Sequence, residues 1–247
     1  IDLVLGLSLI HYFQALKDLN WKSFPQEQIK DQKVNWVPVL QDILLKATSN
    51  QNKLIPFDWS PLTFVYSEGK ITPPLQWSDL AHSSYHQTIS GPDPRFSIPG
   101  QFLSLWAWDS EHKQFVPERM NLLKNVMMPL SPSWSVSYGL FRRNVAPLTF
   151  TYATSPLYHR WVKKEDSYRA VVFSSPHPFE IEWAAVPDQC VSCSEAKKMV
   201  HLLLEPESQK VLLQKNFMLP VVEGVGDESV WAEMSRYQLI PWESVAQ

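Results

Sequence analysis

The sequence predicts an α/β protein built as two lobes. Three observations carry that reading. Short apolar runs of strand length alternate with longer helical stretches along the chain, which is the pattern of an α/β architecture. The connections between strands are of two kinds, some helical and some antiparallel-looking, and a single uninterrupted doubly wound sheet would show only the first. At 247 residues the chain can also bury a substantial core, as one large domain or two lobes. Candidate crossings near residues 88–95 and 170–180 divide it into a first lobe at 1–90 and a second lobe at 91–172. Residues 173–247 then return to the first lobe and add C-terminal helices.

Taken in order, Ile1 to Leu7 reads as a buried strand. A domain seldom opens on a buried strand, and this start lacks the charged-then-apolar form of a signal peptide, so residues ahead of Ile1 are expected. A helix follows over Leu9 to Leu19. The polar loop Thr48 to Lys53 leads into Ile55-Pro56-Phe57-Asp58-Trp59, then a strand over Leu62 to Tyr66 and a turn at Ser67 to Lys70. Trp77-Ser78-Asp79-Leu80 reads as a helix start with Ser78 as its cap. Gln87 to Ser90 is a short strand that breaks at Gly91-Pro92-Asp93-Pro94.

Ser97-Ile98-Pro99-Gly100 opens an apolar helix over Gln101 to Trp108, and Pro117 to Val126 is another. In Pro132 to Arg143 the three- and four-residue spacing of Trp134, Tyr138 and Phe141 places them on one helix face. The strand Leu148 to Tyr152 runs into a Thr-Ser-Pro turn that opens a helix carrying Tyr158. Tyr168 to Phe173 and Phe179 to Ala185 read as strands. Ser194 to Leu204, Pro206 to Lys215 and Ser229 to Tyr237 read as helices.

Composition narrows function by exclusion. A net charge of −3 with dispersed charges gives no electrostatic footprint for nucleic acid or an anionic membrane. No apolar run reaches the ~18 residues a membrane-spanning helix requires. Eleven Trp is a heavy load, and Pro (20) outnumbers Gly (7). Aromatic-rich loops suit a planar or cationic ligand, while core packing and rigid turns account for any single Trp. Cys190 and Cys193 form a lone C-x-x-C, which lacks the second ligand pair of a zinc site and reads as a small-loop disulfide or two thiols. No nucleophile motif, zinc-protease motif, dinucleotide fingerprint or phosphate loop occurs. His82 and His86, four apart on a possible helix, have no carboxylate at a diagnostic spacing and read as structural or solvent-facing. An enzyme is not expected, nor a metal or a cofactor.

The positive features belong to a binding protein. In an open α/β sheet, ligands sit beyond the carboxyl ends of strands, where helix N-termini and loop side chains converge. The segment Thr149 to His159 puts two tyrosines and two hydroxyls at such a place. Trp134, Tyr152 and Tyr158 suit an aromatic box that attracts a desolvated cation by ~2 kcal/mol per good contact; each is also compatible with core packing. Ser97 is either a helix cap or part of an anion site. Asp58, in a Pro-initiated loop, reads as a hinge or turn residue.

Several blocks together resemble the periplasmic thiamine-binding proteins of ABC importers. They are Asp2 to Leu7, Ile55 to Asp58 with Phe64 to Tyr66, Asp93 to Gly100, Trp134 to Phe141, Tyr152-x-Thr154-Ser155-Pro156-x-Tyr158-His159, and Glu180 to Ala185. The resemblance implies a two-lobe, type II-like binding fold with its ligand cleft between the lobes. It implies a periplasmic or lipid-anchored extracytoplasmic protein that hands thiamine or a thiamine phosphate to a membrane permease. Trp134, Tyr152 and Tyr158 match positions that contact the thiamine rings, and Ser97 a position near the phosphate. Asn216-Phe217 stands where the family has Asn-Trp, so Phe217 keeps an aromatic wall. Ser8 stands where the family has an acidic residue. The family's first strand and helix would lie before Ile1. These departures motivate a second reading, a receptor-derived scaffold that acts through protein contacts.

Overall fold

The computed structural model describes residues 1–24, 34–48, 52–109 and 114–241. The polar loop read at Thr48 to Lys53 lies partly outside them, as does Trp242. In chain order the described elements begin with strand β1 (Val4–Ser8), helix α1 (Tyr12–Asp18), helix α2 (Gln41–Thr48) and strand β2 (Leu54–Ser67). Strand β3 (Ile89–Ser90), helix α3 (Ile98–Ser104), the hairpin β4 (Trp108–Asp109) and β5 (Gln114–Phe115), and helix α4 (Pro117–Val126) follow. Next come helix α5 (Trp134–Arg142), strand β6 (Leu148–Tyr152), helix α6 (Ser155–Tyr158), strand β7 (Tyr168–Ala170) and strand β8 (Phe179–Ala185). Helix α7 (Cys193–Leu203), helix α8 (Pro206–Val211), strand β9 (Leu219–Pro220) and helix α9 (Glu228–Met234) complete the set. The α/β expectation holds.

The chain forms two compact units. Among the described residues, the first comprises those within Ile1–Trp59 and Glu180–Glu233; the second comprises those within Ser60–Phe179 and at 234–241. The first change of unit therefore falls inside β2, between Trp59 and Ser60, whereas the sequence reading put it at residue 90. The second falls between Phe179 and Glu180, against residue 172 in that reading. The cause is the length of β2. Pro56 and Pro61 divide this segment into two short pieces on paper, because proline cannot donate to a ladder. The fold joins the pieces into one 14-residue strand, almost wholly buried. Its first half pairs antiparallel with β9 through Asp58 and Trp59. Its second half pairs antiparallel with β6 from Leu62 to Tyr66 and with β7 from Val65 to Ser67.

In the first unit β1 lies antiparallel to β8. Tyr12 of α1 packs on Trp183 of β8 with ring centroids 4.6 Å apart, and both rings are buried. Gln209 of α8 serves as an internal clamp. Its side chain, fully buried, donates to the carbonyls of Phe57 and Leu203, each at 2.7 Å, and accepts from the Val221 N–H at 2.8 Å. Replacing it with an apolar residue leaves buried backbone groups without partners, at roughly 1–3 kcal/mol for each such group. Gln209→Leu is expected to lower the urea midpoint accordingly; an unchanged midpoint would show that the clamp is dispensable.

In the second unit β3 runs parallel to β6. Phe64 of β2 sits at the centre of an aromatic cluster with Trp106 at 5.0 Å, Phe150 at 5.7 Å, Phe173 at 6.1 Å and Trp77 at 6.4 Å. Much of the tryptophan load is thus core packing: Trp21, Trp59, Trp106 and Trp183 are all buried. The turn at Trp77–Ala81 is a 3-10 helix capped by Gln76, not Ser78, with Gln76 and Asp79 forming a reciprocal capping box. His82 and His86 flank another single 3-10 turn, Ser83–Tyr85, and both are exposed. Among the described residues no helix is long and apolar enough to cross a membrane, and no three His, Cys, Asp or Glu side chains group as a metal site.

Candidate functional site

The surface of interest in the second unit grows from α5, β6 and the turn into α6. Ser133 caps α5 by accepting from the Val136 N–H. The helix then carries Trp134, Tyr138 and Phe141 on one face, as their spacing predicts. Tyr138 and Phe141 are buried against Val65, and Trp134 and Tyr168 pack onto them half-buried. The Trp134 ring stacks on Tyr138 at 5.1 Å with 17° between planes. Tyr152, at the end of β6, comes within 6.4 Å of the same indole.

Trp134, Tyr152 and Tyr158 are all half-buried. That matters for the choice left open by sequence, because a side chain wholly given to the core shows no face to solvent. Tyr158 differs from the other two in its neighbours. The Arg142 guanidinium lies 5.9 Å and the Lys163 ammonium 5.8 Å from its ring centroid, so protein cations attend this ring. Tyr158 is also followed directly by a π-helical turn, His159–Lys163. Such bulges often mark functional positions.

Ser97 is half-buried at the N-cap position of α3 and makes no side-chain capping bond. The turn before it is held by Asp93, whose carboxylate accepts from the Arg95 backbone N–H at 2.9 Å and from its guanidinium Nε at 3.0 Å. These bonds hold the Asp93 carboxyl below the usual aspartate range. Gly100 lets α3 approach this turn closely: a Cβ there would stand 2.5 Å from the Pro92 carbonyl.

Phe217 lies in the first unit, half-buried, in the left-handed conformation at φ 58° after the π turn Leu212–Asn216. A phenylalanine rarely adopts that conformation, and strained residues of this kind cluster at functional sites. Its neighbour Asn216 donates to Asp58 Oδ2 at 3.1 Å. Asp58 is a fully buried strand residue, not a turn residue, and its Oδ1 has no hydrogen-bond partner among the described residues. Burial, and then the negative charge of Glu182, push its carboxyl well above the usual range.

Sequence reasoning gave no bonding partners to two groups of polar residues. One is the set of buried acids near Asp58 in the first unit. Glu180 accepts from the Ser8 hydroxyl at 2.6 Å and the Leu9 N–H at 2.7 Å. Burial nevertheless pushes it up to about 8 and raises Glu182 as well. The signal was present in Phe-Asp-Trp and Phe-Glu-Ile-Glu-Trp, acids set within strands otherwise made of buried residue types. The other group is Thr151, Ser155 and His159: Thr151 bonds the Trp134 indole and Ser155, and His159 bonds Tyr138 and Glu165. Alternation of Thr149 and Thr151 with Leu148 and Phe150 marks two polar positions on a strand, but not their partners.

The geometry can be set beside known proteins. The thiamine-binding periplasmic protein of Escherichia coli (strain K12) is 30% identical over 202 residues, which cover 80% of this chain. The Haemophilus influenzae protein of the same name is 32% identical over 175 residues, or 69% of the chain. The chain is a homologue of the thiamine-binding periplasmic proteins. As such a homologue it spans 62% of the E. coli relative's length and 51% of the H. influenzae relative's. No protein-family model matches it. Among solved structures, a periplasmic thiamin binding protein superposes with a TM-score of 0.73 at 24% identity, over all of this chain and 79% of that one. An apo ferric ion-binding protein A from Pasteurella haemolytica reaches 0.74 at 14% identity, over 99% of this chain and 78% of that one. At those identities the structures speak to fold, and the fold is that of the periplasmic binding proteins. All four of these proteins are named for binding and none for catalysis. The Cys190–Cys193 pair is a disulfide.

Proposed function

We propose that this protein is an extracytoplasmic receptor that captures thiamine or a thiamine phosphate and delivers it to an ABC permease. The observation that carries the proposal is the Trp134 indole, half-buried and stacked on Tyr138 beside Tyr152, in a homologue of proteins named for thiamine binding. A flat aromatic face that is rigid and open on one side suits a planar, positively charged heteroaromatic ring. Trp134, Tyr152 and Tyr158 are the proposed ring contacts, Ser97 the proposed phosphate contact, and Phe217 a proposed aromatic wall. The disulfide supports a location outside the cytoplasm, where thiols oxidise and pairs persist. Anchoring by lipid and the permease partner belong to the same proposal, with no cofactor beyond the ligand.

The test is a titration of intrinsic tryptophan fluorescence with thiamine and then thiamine phosphate. Saturable quenching with a Kd at or below ~1 μM, or about 8 kcal/mol of binding free energy, is expected. A folded sample that stays silent up to millimolar ligand would retire the thiamine assignment and leave the scaffold reading, which is then tested by capture of a stable protein partner.

A further inference from the structure

Around the Trp134 ring, polar side chains of the second unit form two adjoining runs of hydrogen bonds. The indole Nε1–H donates to Thr151 Oγ1 at 2.9 Å, and Thr151 Oγ1 lies 3.0 Å from Ser155 Oγ. A second run starts at the Tyr138 phenol, whose oxygen lies 2.8 Å from His159 Nε2; burial raises that phenol, and Ser155 beside it opposes the rise. His159 Nδ1 then stands 3.3 Å from Glu165 Oε2. The far end reaches solvent, since the Glu165 side chain is 54% exposed while His159 is fully buried.

The two ends set the direction of the bonds they make. An indole N–H only donates, and an ionised carboxylate only accepts. His159 is kept neutral by burial, which holds it below the ordinary histidine range against the opposing pull of Glu165; Arg142 and Lys163 also disfavour its charged form. Its single proton therefore sits on Nδ1 toward Glu165, and Nε2 accepts from Tyr138. The Thr151 hydroxyl is free to donate to Ser155, which leaves Thr151 a lone pair for the indole. No hydroxyl is then asked to donate twice, so the bonds within each run reinforce one another. Two ring contacts brace the runs: Tyr138 stacks on Trp134 itself, and Tyr168 lies on His159 with centroids 3.7 Å apart and planes 21° apart.

We infer that Thr151, Ser155, Tyr138, His159 and Glu165 form one positioning device that locks the Trp134 indole, with Glu165 setting its polarity from the surface. They act through Trp134 and are positioning residues, not proposed ligand contacts. The consequence for thiamine rests on the function proposed above. The device itself does not, so the experiment reads it in the ligand-free protein.

The probe is the Trp134 indole N–H resonance in a nitrogen-15 proton correlation spectrum, assigned by its loss in Trp134→Phe. Glu165→Ala, a change at an exposed side chain, is expected to speed solvent exchange of that proton by about tenfold and to shift its resonance. Tyr138→Phe, which keeps the stacked ring and removes the hydroxyl, is expected to do at least as much, and Glu165→Asp to restore part of the protection. The other indole resonances are expected to stay in place. An exchange rate within about twofold of wild type in both Glu165→Ala and Tyr138→Phe overturns the device. A response to Tyr138→Phe alone overturns the role of Glu165. Where the wild-type protein binds thiamine, Glu165→Ala is expected to raise the Kd by about tenfold. A wild-type protein indifferent to thiamine defeats the functional proposal, and the exchange measurement still decides the device.

Discussion

Folding stability is expected to be nearly level between about pH 5 and pH 6.5 and then to fall by about 2 kcal/mol by pH 8. The alkaline limb comes from Glu180. Its carboxyl is raised from 4.5 to about 8 by burial, so between those values the folded protein holds a proton that the unfolded chain releases. Stability is then full below the unfolded pKa and is lost as pH climbs toward the folded one. Asp58 and Glu182 are shifted in the same direction, again chiefly by burial. The level stretch has an opposite cause. His177 is fully buried and depressed by burial from 6.5 to about 4, so its contribution shrinks as pH drops through that window. The slopes of Glu180 and His177 oppose each other where the windows overlap, and only the carboxyl slope survives above about pH 6.5. Urea melts of wild type and Glu180→Gln at pH 6.5 and pH 8.5 check this. The variant keeps groups that can bond Ser8 and Leu9 but has no proton to lose, so its alkaline limb should shrink. Parallel curves for the two proteins would sink the assignment.

Trp134→Ala is expected to weaken thiamine binding by roughly a hundredfold or more, or about 3 kcal/mol, because it removes a stacked aromatic face and the cation–π attraction with it. Trp134→Phe should recover part of the loss, since it restores a ring but not the indole N–H held by Thr151. Isothermal titration is the suitable readout, as the substitution itself alters tryptophan emission. Binding that survives Trp134→Ala within about threefold would place the ligand elsewhere, whatever the wild-type affinity.

The helix face of Trp134, Tyr138 and Phe141 was legible because helical periodicity is local: residues three and four apart must share a face. The run from β6 into α6 was legible for the same reason, with a strand-length apolar segment meeting a Pro-initiated turn. The division of the chain was not. β2 owes its continuity past Pro56 and Pro61 to partners far away in sequence, with Asp58 opposite Pro220 and Leu62 opposite Tyr152. The two runs at Trp134 and Glu165 were illegible too. Thr151, Ser155 and His159 are visible as residues, but their bonding follows from side-chain directions set by the packing of α5, β6 and the π turn.

By itself, then, the sequence determined the α/β class, many of the helices and strands, the absence of familiar catalytic motifs and the likeness to thiamine-binding proteins. The first three rest on spacing or on residue type within a short window, and the likeness is a resemblance of several blocks taken together. Tertiary structure alone decided where the two units divide and which acids are raised by burial. It also decided that Trp134 and Tyr152 keep a half-open face while Trp59 and Trp183 are sealed in the core. Burial, desolvation and hydrogen-bond direction depend on neighbours that a residue acquires only when distant parts of the chain come together.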